Sequence, residues 1–184
     1  VKWFRRRNRD TPTPSGPYDV RDAPDDGVSR LDLGSVRIPV EPGTELRVEL
    51  SPDHTEVRAV HLQTALGQCT VSAYAASPAG GLWPEVCSDL LDLPPSMESA
   101  RVERGEWGRE IVGERDGMVI RFIGVDGPGW MVRGVAVTEP LSADRIAAAL
   151  RDIMRATIVV RGNDDLPDRT PLPITLPDEI ARHL

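Results

Sequence analysis

The 184-residue chain is 40% hydrophobic with a net charge of −7, long enough for one domain with its own core and too short for two large ones. Its charge is uneven: residues 1–9, VKWFRRRNR, hold five basic side chains and no acid, leaving 17 basic against 29 acidic side chains over the rest, a net of −12. A body that acidic does not draw nucleic acid or anionic lipid by its general field, so any such role falls to the first nine residues.

Residues 1–30 carry four prolines among aspartates and show no apolar periodicity, which predicts a disordered basic arm followed by an extended acidic lead-in. Order is expected from Leu31. Val36, Ile38 and Val40 alternate with polar neighbours, as do Leu46, Val48 and Leu50; each is the pattern of a half-buried strand. EVRAVHLQTA (56–65) and CTVSAYAA (69–76) continue an antiparallel meander.

At LWPEVCSDLL the period changes. Leu82, Val86, Leu90 and Leu93 recur at helical spacing, Pro84 fits only the first turn, and Pro94-Pro95 ends the helix. Four strands are predicted next, over 100–105, 106–114, 118–125 and 130–137. Asp116-Gly117 and Asp126-Gly127 fall between successive strands, where tight turns need positive φ. A second amphipathic helix is predicted over about 142–156, with Ser142 as N-cap, then a strand or extended exit over 157–162. The remainder, 163–184, reads as a proline-rich C-terminal tail. The sum is an α+β domain over 31–162, with a largely antiparallel β-sheet of about 7–9 strands covered on one face by two helices.

Catalytic signatures are sparse. The stretch GVDGPGWMVRG (124–134) has the glycines of a phosphate loop, but a strand pattern follows it where such a loop needs a helix, so a hairpin is the reading. His54, His61 and His183 lie far apart, and Cys69 and Cys87 fall in apolar patterns without C-x-x-C spacing, so neither a metal site nor a disulfide scaffold is expected. No G-x-S-x-G elbow is present. Acidic pairs such as Glu110/Glu114 read as solvated surface. No catalytic, cofactor-binding or metal-binding residues are assigned.

Two constellations suggest binding. Trp83, Trp107 and Trp130 each lie at or near the start of an element and together could line a partner groove. In the arm, Lys2, Trp3, Phe4, Arg5, Arg6, Arg7 and Arg9 combine aromatics with positive charge, the chemistry of an anionic-surface contact. No run approaches the 18 or so apolar residues of a membrane span, and the basic start leads into TPTPSGPYD, not an apolar signal core, which predicts a cytoplasmic protein.

GPYDVRDAPDDGVSRLDLGSVRIPV (16–40), LWPEV (82–86), GEWGREI (105–111), GVDGPGWMVRGV (124–135) and IVVRG with PLPITLP (171–177) resemble an actinobacterial family of uncharacterised proteins, domain of unknown function 3710. The resemblance covers nearly the whole chain from Gly16 onward. It implies a cytoplasmic protein with no assigned activity, cofactor or catalytic residues. By element order alone the chain is also similar to the Mog1/PsbP-like α+β domains, which act mainly as binding modules. The expectation is a non-enzymatic protein-binding or adaptor domain; the alternative is a peripheral binder of anionic membrane or nucleic acid through the N-terminal arm.

Overall fold

The computed structural model describes residues 15–184. In chain order its elements are β1 (Tyr18–Asp19), β2 (Arg30–Asp32), β3 (Val36–Pro39), β4 (Glu45–Leu50), β5 (Val57–Thr64), β6 (Gly67–Ala75), α1 (Leu82–Leu91), β7 (Ser99–Gly105), β8 (Gly108–Arg115), β9 (Met118–Gly127), β10 (Trp130–Thr138), α2 (Ala143–Ala156), β11 (Ile158–Val159) and the short α3 (Asp178–Ala181). Seven strands form one antiparallel sheet in the order β4-β5-β6-β10-β9-β8-β7. The α+β class and the antiparallel sheet agree with the sequence reading.

Turn chemistry sets the hairpins. Asp116 and Gly117 both have positive φ, 51° and 77°, the two-residue turn whose twist matches the flanking strands. The next hairpin departs by a residue pair from expectation. β9 runs on through Asp126 and Gly127, Gly127 pairs with Trp130, and Pro128-Gly129 makes the turn, with Gly129 at φ 75°. Proline presets the first turn position and glycine accepts the second. Glu106 and Trp107, expected to open a strand, form the tip of the β7–β8 hairpin, because Gly105 pairs with Gly108.

Strand parity decides where the helices go. On β10, Trp130, Val132 and Ala136 join Ile123, Ile146, Leu150 and Met154 in one core, beneath α2. Met131, of opposite parity, joins Ile111, Leu82, Trp83 and Cys87 in a second core, beneath α1. The two helices therefore cover opposite faces of the sheet, where one shared face was expected. The α1 stripe holds for Leu82, Val86 and Leu90, but Leu93 lies beyond the helix at φ 54° and is exposed; sequence periodicity does not say which side each stripe meets.

Three further expectations are corrected by the edges of the fold. Val36–Pro39 does not join the meander: β3 pairs with β2 and β11, and β11 pairs in parallel with β1, making a separate sheet ordered β1-β11-β3-β2. Order does not wait for Leu31, since Tyr18–Asp19 is a strand and Asp19 is buried. Residues 163–184 are not a free tail. Thr170 accepts a hydrogen bond from the Ala75 N–H, the Arg169 and Leu172 N–H groups donate to Ala75 and Ala73, and the Thr175 N–H donates to Leu33. Leu172 is buried in the main core. This segment occupies the stretch of β6 edge that the register of β5 leaves unpaired and joins it to the smaller sheet through Gly34 and Ile174. An unpaired strand edge seeks a partner, and the prolines here tolerate an extended path.

Among the described residues no helix is long and apolar enough to cross a membrane.

Candidate binding surface around the first helix

α1 is only ten residues long and is held to the sheet by Trp83. The Trp83 N–H, in the first helical turn, donates to Asp126 Oδ1 at 3.1 Å, which satisfies one otherwise orphaned amide with a carboxylate. Its indole N–H donates to the Arg109 carbonyl at 2.9 Å. The ring lies flat on Gly124, where a Cβ would collide with it. Cys87 sits beneath, fully buried, and burial pushes its thiol up against a lowering influence from Arg109. Cys69 lies in the other core, where burial pushes it to about 11, so both thiols are held in their inert neutral form.

Two of the three tryptophans singled out from the sequence come together. Trp83 and Trp107 line a groove of about 510 Å³ with Cys87, Arg109 and Asp126. Trp83 is buried and Trp107, at the hairpin tip, is half-buried. Trp130 does not join them. It is 2% exposed, faces the α2 side against Gly127, and its indole N–H donates to Asp19 Oδ2 at 2.8 Å. Burial raises the Asp19 carboxyl, but the hydrogen bonds from Arg21 and Trp130 outweigh it and leave its pKa below the ordinary value. Lys2, Trp3, Phe4, Arg5, Arg6, Arg7 and Arg9 lie outside the described residues.

A second cleft opens on the other side of α1. Tyr74, Leu82, Val86, Leu90 and Met131 wall a space of about 290 Å³, with Arg133 and Arg169 at its polar side. The Arg133 guanidinium lies 5.1 Å from the centre of the Tyr74 ring and 6.0 Å from that of Phe122. Its Nε is shut off from solvent and has no hydrogen-bond partner. Arg169 is engaged already, by Asp89 at 2.6 Å and Glu85 at 3.3 Å. The aromatic seat of Arg133 depends on strand pairing, which brings Tyr74 and Phe122 from β6 and β9.

The opposite face holds a cluster that sequence reading placed at the surface. Glu110 is 1% exposed and accepts from Arg121 at 2.8 Å and from Arg151, on α2, at 2.7 and 3.0 Å. Glu103 completes the set with an ion pair to Arg121 at 2.8 Å. Burial raises the Glu103 carboxyl, but Arg121 and then Arg101 lower it further, for a net decrease. The hydrogen bonds that Arg151 donates to Glu110 raise the Arg151 guanidinium pKa above its ordinary value. Each Glu110 oxygen is engaged, so the cluster fixes α2 to β8 and β9 and leaves no free acid for proton transfer.

The family model described as Protein of unknown function (DUF3710) matches residues 16–183. The chain belongs to the DUF3710 family. No curated protein and no solved structure matches it. In this DUF3710 chain the matched span begins at the residue before Pro17 and takes in both sheets and the 169–175 segment, so the unit that the family defines coincides with the folded unit described above. Among the described residues no three His, Cys, Asp or Glu side chains converge as a metal-ligand set; His61, for one, is bonded to Thr70 and Glu49.

Proposed function

We propose that this DUF3710 chain is a protein-binding module, an adaptor domain of an actinobacterial cytoplasmic protein, that takes a segment of its partner along α1. The reading is carried by the two grooves that flank α1, one walled by Trp83 and Trp107, the other by Val86, Leu90 and Met131 below Arg133. A cleft of about 260 Å³ beside α2, lined by Leu62, Ala149 and Ile153, has neither an aromatic nor an arginine. Apolar walls with an aromatic and an arginine at the rim are the composition of a protein-binding hot spot. The order of elements, similar to that of Mog1/PsbP-like domains, supports the same reading by analogy.

The test is recovery of a stoichiometric partner by crosslinking to the full chain in its own cells. Val86→Arg and Trp107→Ala, on the two grooves, should each lower recovery at least tenfold. Leu141→Ser, at a residue 98% exposed beyond the sheet, should not. Recovery that is indifferent to both groove substitutions rejects the proposal.

A further inference from the structure

Among the described arginines that are not exposed, Arg30, Arg37, Arg121, Arg151 and Arg155 each have a carboxylate within ion-pairing distance, and Arg161 donates to two backbone carbonyls. Arg133 differs. It lies against the Tyr74 and Phe122 rings with no carboxylate within ion-pairing distance; the one acid that lines its cleft, Asp89, is paired with Arg169. Tyr74 and Phe122 orient the guanidinium without neutralising it or occupying its N–H fork. Its register neighbours on β6 and β9, Ser72 and Gly124, bring no carboxylate to it. The partly buried cation lines an apolar cleft of about 290 Å³, its unpartnered Nε turned away from solvent. A planar anion is the natural complement to such a fork.

Resting on the protein-binding reading, we infer that this cleft receives the free C-terminal residue of a partner polypeptide, its carboxylate on Arg133 and its apolar side chain against Val86, Leu90 and Met131. The geometry separates this occupant from an aspartate or glutamate side chain. The cleft asks for charge and an apolar branch within one residue, and only a chain terminus with an apolar side chain supplies both. A C-terminal carboxylate held by a fixed cation is also an economical recognition mode, because the rest of the peptide needs little order.

The experiment titrates the full chain with acetyl-Gly-Ser-Ala-Leu as the free acid, with the same peptide as its C-terminal amide, and with octanoate, following methionine methyl signals by NMR. Met131 lines the cleft and Met154 lies under α2, so the free acid should shift the first and not the second. It should bind at least tenfold more tightly than the amide. Arg133→Gln should abolish that preference and Arg133→Lys keep part of it, the charge remaining while the fork is lost. Equal affinity of acid and amide for the unaltered protein overturns the inference without recourse to any variant. Octanoate binding as tightly as the peptide would also overturn it, assigning the cleft to free apolar acids. If the acid preference is absent but partner recovery still depends on Val86 or Trp107, this inference fails and the protein-binding reading survives; if recovery ignores both, that reading fails whatever the peptides do.

Discussion

On the α2 side of the sheet, Glu110 is buried with both oxygens engaged by Arg121 and Arg151; on the α1 side, Arg133 is partly buried with its Nε unpartnered. The same seven strands carry both. A charge buried with its partners fixes the packing of two elements, whereas Arg133 lies against two aromatic rings with no carboxylate within ion-pairing distance. Both helices leave clefts at their margins, but only those beside α1 are lined by an aromatic and an arginine.

If that division is right, substitutions on the two faces should separate stability from binding. The largest loss is expected from Glu110→Ala, which strands Arg121 against Glu103 alone and leaves Arg151 without its main partner: about 3–5 kcal/mol in chemical denaturation. Leu150→Ala, at a fully buried site under α2, should cost about 2–5 kcal/mol. Val86→Ala, on the α1 cleft, should cost about 0.5–1.5 kcal/mol, since the site is half open and loses only part of a buried side chain. Comparable losses at Leu150 and Val86 would erase the contrast. Asp19→Ala should cost about 1–3 kcal/mol by leaving the Trp130 indole N–H unpaired in the core, seen as a lowered urea midpoint.

Acid should act through the same acceptors. Asp19 and Glu103 release their protons more readily in the folded chain. So do Asp26, held at about 2 by Arg30, and Asp53, held at about 2 by the Ser51 and Thr55 hydroxyls. Groups with lowered folded values lend their stability above their ordinary values of 3.8 and 4.5 and lose it as pH falls through the folded ones. The urea midpoint should therefore be level from pH 7 to 5 and decline from there towards pH 2. The smallest effect on the folded body is expected from deleting residues 2–9. The alternative reading of the basic arm predicts that this deletion abolishes a salt-sensitive affinity for anionic liposomes or DNA.

Much of the sheet was legible because its signals are local. Asp116-Gly117 announces a turn by its own chemistry, and β5, β6, β9 and β10 are long enough to show their alternation. The smaller sheet was not, for a physical reason: two-residue strands such as β1 and β11 have no period to read, and their pairing joins residues 18–19 to 158–159. The placement of the tryptophans was partly legible. Trp83 and Trp107 line one groove, but Trp130 falls on the other side of the pleat, where parity sends it to Asp19. Glu110 read as surface because an acidic pair in REIVGE gives no hint of arginines 11 and 41 residues further on. Arg133 was unremarkable in sequence for the same reason: nothing near it in the chain reveals that Tyr74 will lie across its face.

The hydrogen bonds that residues 169–175 make to Ala73, Ala75 and Leu33 have a consequence for how the protein is made. During synthesis the seven-stranded sheet has all its strands by Thr138, yet the stretch of β6 edge that β5 leaves unpaired, together with the join to the smaller sheet, waits for a segment still tens of residues from being translated. Until then the nascent chain carries an open strand edge and an uncovered site for Leu172, the features that invite aggregation and chaperone binding. A ribosome stalled at Gly162 would release a chain with every long strand and both main helices but no means of closing the edge. The 169–175 segment thus closes the edge that the long strands leave open, and a chain cut before it should expose β6 and aggregate more readily than the full chain.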